Sequence, residues 1–338
     1  MKDIRDNARK LMQGFCRVCK VCDGRACAGE VPGMGGLGTA ASFQNNVTAL
    51  AAVKLNMRLL HGNSEPDTST NVLGLDLDMP VMAAPIGGVS FNMGGKISEE
   101  EYTDAVVGGC KDSGVIGCTG DGVPPFIHEA GFKAIADADG RGIPFIKPWE
   151  GAELDEKLEK ARATGCTCFG MDVDAAGLIT LKQMGRPVAP KPVAELKALI
   201  AKVHSWNARF ILKGVMTPDE ARLAVEAGAD GIVVSNHGGR VLDHTPGTAE
   251  VLPAVAAEAK GETAILVDGG VRTGTDVLKL IALGADAVLI GRPISVAAVG
   301  GLRTGVSTYL GTIKGQLKGA MVLTGCGSIA DITGRVVF

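Results

Sequence analysis

From about residue 75 onward, short apolar runs alternate with longer stretches of helical spacing. The runs are Pro80–Pro85, Gly114–Thr119, Pro144–Lys147, Cys168–Asp174, Arg209–Gly214, Gly231–Ser235, Ala264–Gly269 and Ala287–Arg292. Their near-continuous apolar character fits strands buried on both faces, as in a parallel sheet. Helix signals fall between them. Thr217-Pro218-Asp219-Glu220 opens a helix that closes at Ala227-Gly228, and another runs from Gly274-Thr275-Asp276 to Leu283-Gly284. Eight strand-then-helix units predict an α/β fold, a (β/α)8 TIM barrel. A doubly wound open sheet is the alternative, but no Gly-x-Gly-x-x-Gly follows an early strand.

Residues 1–70 lack this alternation and are expected to form an extension packed on a barrel of residues 71–338. An amphipathic helix (about 3–14) leads into a cysteine cluster and the loop Pro32-Gly33-Met34-Gly35-Gly36. A helix near 42–55 and a hairpin around Val72-Leu73-Gly74-Leu75 follow, and the short polar–apolar alternation bracketed by Gly74 and Pro80 is placed to plug the bottom of the barrel. A last helix reaches from about 302 to Leu323.

Composition narrows the picture. Aromatics make up only 4%, so the core must be aliphatic. A net charge of −3, without a basic run, gives no footprint for nucleic acid. No stretch approaches the roughly 20 apolar residues that span a bilayer, and the start Met1-Lys2-Asp3-Ile4-Arg5 leads into no apolar signal segment. The expected compartment is the cytoplasm. Nine cysteines there should be reduced, metal-bound or catalytic.

The barrel rule assigns chemistry to polar residues just after each strand. It brings Thr119, Lys147, Asp172, Asp174, Lys213, His237, Arg240, Asp268 and Arg292 to one face. Within Ser235-Asn236-His237-Gly238-Gly239-Arg240, a titratable base stands three residues from a fixed cation, with glycines that let a ligand approach. That pairing suits proton abstraction from an anionic substrate. Asp268-Gly269-Gly270-Val271-Arg272 and Gly291-Arg292-Pro293 end the last two strands, where such barrels bind phosphate. Lys213 needs an anion or an electron-rich partner there, either a Schiff-base substrate or a cofactor edge. Asp174 is placed to orient His237 and strengthen it as a base.

Ile211-Leu212-Lys213-Gly214-Val215, the Ser-Asn-His-Gly-Gly-Arg run, Val267–Val277 and Leu283–Pro293 together resemble the FMN-dependent α-hydroxy-acid oxidase/dehydrogenase family, the lactate and glycolate oxidases among them. The resemblance is strongest over residues 209–293. It implies that His237 is the catalytic base, Arg240 the carboxylate anchor and Asp174 the orienting carboxylate. It also implies that Lys213 lies at the flavin N1/O2 edge, that Gly269, Gly270, Arg272, Gly291 and Arg292 with Asp268 border the FMN phosphate, and that Ala83, Ala84, Thr119 and Lys147 border the ring. A homo-oligomer, tetramer or octamer, is implied as well.

Several family features are missing. The family's N-terminal tyrosine has no counterpart, and Trp149 stands where its second tyrosine would be, as a candidate substrate contact. Lys147 replaces a glutamine, Asp172 a threonine, and the arginine after the fourth strand is absent, with Arg186 as a candidate replacement. The predicted activity is oxidation of a lactate-like 2-hydroxy acid to a 2-oxo acid, with the electron acceptor open. FMN-linked isomerisation of the type 2 isopentenyl-diphosphate isomerase kind, or a flavin or metal redox sensor, are the alternatives. Cys16-x2-Cys19-x2-Cys22-x4-Cys27 has no counterpart in common members of the family. Its spacing leaves an iron–sulfur cluster, zinc, or free redox thiols as alternatives.

Overall fold

The computed structural model describes residues 1–338. The predicted hairpin is β1 (Thr70–Val72) and β2 (Leu75–Leu77), turning at Leu73 and Gly74, both at positive φ (56° and 75°). Two left-handed residues in succession are what a tight hairpin turn needs to match strand twist. The eight apolar runs become β3 (Val81–Ile86), β4 (Ile116–Thr119), β5 (Gly142–Ile146), β6 (Cys168–Asp172), β7 (Arg209–Val215), β8 (Gly231–Val234), β9 (Ala264–Val267) and β10 (Ala287–Ile290). They close into a barrel in the order β10-β3-β4-β5-β6-β7-β8-β9, all pairs parallel. The TIM barrel is therefore present, and the open sheet is not.

Alternation along each strand divides the core in two. Inward side chains such as Met82, Ile116, Cys118, Phe145, Ile211 and Leu289 join a core of 13 buried residues, to which the hairpin contributes Val72 and Leu77. The hairpin thus closes the bottom of the barrel. Outward side chains pack against the helices in a second core of 74 residues. The few aromatics are placed where they fill most: Phe145 is inward, and a Cβ on its neighbour Gly170 would overlap its ring.

The extension is wrapped around the barrel. Helix α1 (Lys2–Leu11) lies against the helical run Arg292–Thr324, with Asn7 Nδ2 donating to Gly300 O at 2.9 Å. That run bends at Leu302, whose φ of 47° and ψ of −144° are not helical. Helix α2 (Ala41–Ala52) packs beside the barrel mouth. No helix is long and apolar enough to cross a membrane.

Gly170→Ala should force the Phe145 ring off its position and cost about 1–3 kcal/mol of stability, the range for overpacked cores. Urea unfolding measures it; an unchanged midpoint would mean the inner layer has slack.

Candidate active site

At the C-terminal ends of the strands lies a cavity of about 1220 Å³, counted out to its open mouth. Lys147, Asp172, Lys213, His237, Arg240 and Asp268 all line it, together with Gly269, Gly270, Arg272, Gly291 and Arg292.

Its floor is a chain of opposite charges. Lys213 Nζ lies 3.2 Å from Asp172 Oδ1 and 3.8 Å from Asp174 Oδ2, and Lys147 Nζ lies 3.6 Å from Asp172 Oδ2. Burial alone would raise the Asp172 carboxyl, but Lys213 and then Lys147 outweigh it and hold its pKa down at about 2. Burial opposes the Lys213 charge too, yet Asp172, Asp174 and Asp268 together raise its pKa above the usual lysine value. The Asp268 carboxyl is raised by burial, with Lys213 the main opposing influence. Asp174, in the short turn of helix after β6, reaches His237 Nδ1 with Oδ1 at 2.9 Å. Lys213 Nζ stands 3.2 Å from the same ring nitrogen.

His237 occupies an unusual backbone. His237, Gly238 and Gly239 have φ of 56°, 62° and 76°, three left-handed residues in succession. Such a run is costly for a residue with a Cβ, and the two glycines remove that cost at their own positions. Space demands them as well. A Cβ on Gly239 would come 2.5 Å from Phe43 N, and one on Gly238 would come 2.6 Å from Arg292 Nη1. Side chains on both sides hold the turn. Ser235 Oγ accepts from His237 N at 3.0 Å, and Asn236 Oδ1 accepts from Gly239 N at 3.1 Å. The Asn236 amide also exchanges two hydrogen bonds with Asn46 of α2, at 2.8 and 3.1 Å.

The wall is cationic and unpaired. Arg240, Arg272 and Arg292 are partly buried, and none is paired with a carboxylate; most of their partners are backbone carbonyls of the extension, with Asn92 Oδ1, Val271 O and Cys22 Sγ besides. Arg240 donates to Gly33 O and, at 2.9 Å, to Asn92 Oδ1. Arg292 donates to Met34 O at 2.7 Å and Gly35 O at 2.9 Å, and its guanidinium lies 3.9 Å from the centre of the Phe43 ring. Arg272 donates to Cys22 O at 3.1 Å. Burial lowers the pKa of Arg240, with Arg292 adding to it; burial lowers Arg292 likewise, with Arg272 adding. Three mutually repelling guanidinium groups around one cavity make it a site for anions.

Four expectations need correction. Thr119 points outward, packing against Gly131 of the helix Pro125–Asp137, because it alternates with the inward Cys118. Ala83 also faces the outer core, so only its backbone and the neighbouring Ala84 can meet a ligand. Trp149 is buried away from the cavity lining, its Nε1–H donated to Asp121 Oδ2 at 2.6 Å. Arg186 is paired with Glu153 at 2.5 Å and lies over Trp149, so it supplies no cation to the cavity. Of the cysteine cluster, no three sulfurs lie within 4.8 Å of one another.

Other contributors carry no signal in the local pattern. Asp121 is buried at the cavity edge and accepts from Lys147 N, Trp149 Nε1 and Lys157 Nζ. Asn46, Asn92 and the carbonyls of Gly33 to Gly35 come from far along the chain. Only the Thr119-Gly120-Asp121-Gly122 run, a carboxylate between glycines after a strand, could have pointed to one of them.

Comparison with known proteins agrees with this geometry. A family model described as FMN-dependent dehydrogenase matches residues 33–197 and 188–338. An L-lactate dehydrogenase of Ectopseudomonas mendocina is 32% identical, over 86% of this chain and 89% of the relative. That of Alcaligenes faecalis is 30% identical, over 88% and 90%. Among solved structures, mandelate oxidase with benzoyl-formic acid has a TM-score of 0.79 at 29% identity, covering 100% of this chain and 97% of that one. A mandelate oxidase variant with the C4a-OH-FMN adduct has a TM-score of 0.78 at 29% identity, over 99% and 98%.

Asp172→Asn should leave two buried ammonium groups short of a counter-charge and cost about 3–5 kcal/mol. The native pKa of about 2 lies below the ordinary 3.8, so this carboxylate stabilises the fold fully above pH 4 and loses its effect as pH falls toward 2. Urea unfolding of both proteins between pH 7 and 3 should show a shrinking difference; a constant one would contradict the assigned ion pair.

Proposed function

The chain belongs to the FMN-dependent dehydrogenase family, and on that premise we propose that it oxidises a lactate-like 2-hydroxy acid to the 2-oxo acid, with His237 as base. The observation that carries this reading is the His237–Asp174 pair, 2.9 Å apart, set beside Arg240 on the wall of the same cavity. The names of the relatives, for lactate and mandelate, support the substrate class.

The residues present fit FMN. Unpaired Arg272 and Arg292, with Gly269 and Gly270 at φ of 98° and 78°, form a cationic, close-approach cradle for its phosphate, together with Gly291. Lys213, buried and cationic, would face the electron-rich edge of the ring, with Lys147 and Ala84 also against it. When bound, FMN supplies the two-electron acceptor that no side chain here can replace.

The chain's own groups handle the proton and the carboxylate. Asp174 accepts from His237 Nδ1, which keeps a proton on that nitrogen and leaves Nε2 as the basic atom. No protein group is hydrogen-bonded to Nε2, so it is free to take the substrate's proton. Asp174 and Asp172 then stabilise the imidazolium. Arg240 uses two donors on Gly33 and Asn92, and a guanidinium has five N–H groups, so donors remain for a substrate carboxylate. Trp149 has no part in holding that carboxylate, and Arg240 is the anchor. An isomerase reading lacks a comparable observation.

Purified protein should carry a flavin spectrum that bleaches anaerobically with one of a panel of 2-hydroxy acids, L-lactate and mandelate included. His237→Ala should keep the flavin but slow bleaching by about 10²–10⁴-fold or more. Arg240→Lys should act mainly on the substrate concentration required. If no 2-hydroxy acid bleaches the flavin, the substrate class is wrong; if His237→Ala bleaches at the native rate, the base is.

A further inference from the structure

The four N-terminal thiols remain unused by this reading. Cys16, Cys19, Cys22 and Cys27 lie in the segment between α1 and α2, all unpaired and all partly exposed. Cations hold the segment in place. Arg5 donates to Cys19 O at 2.6 Å, Arg9 to Val18 O at 3.0 Å, and Arg272 to Cys22 O at 3.1 Å. Between the first two cysteines, β-branched Val18 sits at φ 46°, a shape it adopts only when its surroundings impose it.

Donors also reach the sulfurs themselves. Cys16 Sγ accepts from Val18 N at 3.4 Å, and Cys22 Sγ accepts from Arg272 Nη2 at 3.4 Å. Arg292 is close enough to Cys16, Cys22 and Cys27 for their charges to interact. Backbone N–H groups and guanidinium groups converging on sulfur suit an anionic centre.

The spacing and the geometry select among such centres. Cys-x2-Cys-x2-Cys is the spacing of iron–sulfur ligation. A tetrahedral zinc with bonds of about 2.3 Å needs its thiolates about 3.8 Å apart, and no three of these sulfurs lie within 4.8 Å. A four-iron cluster spreads its ligands wider than a single ion does. We propose that Cys16, Cys19, Cys22 and Cys27 ligate a [4Fe–4S] cluster at the barrel mouth.

Its place gives it a role. Arg272 lines the cavity and also bonds Cys22, so one side chain separates the two sites. On the other side Val21, 70% exposed, brings the segment to the surface. Each hydroxy acid oxidised yields two electrons and two protons. The protons go to solvent, and the electrons leave singly through the cluster to a one-electron carrier protein. This role, unlike the cluster itself, rests on the flavin reading.

Protein made with ample iron and purified anaerobically should contain about four irons and four sulfides per chain. Dithionite reduction should give an iron–sulfur EPR signal. Cys19→Ser and Cys22→Ser should lose both, and Cys326→Ser, outside the segment, should keep them. Stoichiometric zinc without sulfide, or metal-free thiols after anaerobic reconstitution with ferrous iron and sulfide, would overturn the assignment. Flavin content is read in the same samples. Flavin without iron sinks the cluster alone; iron without flavin sinks the flavin reading and leaves the cluster standing.

Discussion

Positive charge at the barrel mouth without protein counter-charge is the constraint around which the rest is arranged. Arg240, Arg272 and Arg292 meet backbone carbonyls, an asparagine, the Cys22 sulfur and an aromatic face, and no carboxylate. Carbonyl dipoles hold a guanidinium in position without neutralising it, so the cations stay available to an anion. This explains why the extension is needed. Its loop at Gly33 to Gly35 contributes oxygens that orient two of the three arginines, and Phe43 of α2 lies under the third side of Arg292.

The barrel floor is arranged differently. Lys147, Asp172, Lys213 and Asp174 are paired in a row that ends on His237, so the charges there are compensated within the protein. One region is tuned for positional rigidity, the other for an incoming ligand. The left-handed turn at His237 joins them: it points the imidazole at Asp174 and carries Arg240 to the wall only three residues later.

Alternation of apolar runs and helical spacing identified every barrel strand, because parallel strands buried on both faces leave a dense local signature. It also located the residues that follow each strand. What it left unresolved was direction. Thr119 and Ala83 lie at the right height but on the wrong side, since each strand position alternates inward and outward and the strand boundary had to be known to a single residue. Trp149 was misplaced for another reason: a buried carboxylate, Asp121, captures its N–H from 28 residues away. Asn46 and Asn92 meet their partners across 190 and 148 residues. No periodicity records a contact of that range, and only the closed barrel brings those segments together.

The shared use of the arginines has a thermodynamic consequence. The loop carbonyls and an anionic ligand address the same guanidinium groups, so seating the loop and binding the ligand are linked equilibria. Whatever factor the seated loop contributes to ligand affinity, the ligand must return to the loop. The extension is therefore a coupled element whose closure is drawn from the binding free energy, and the empty protein should visit states in which residues 33–35 have let go while the barrel beneath stays intact.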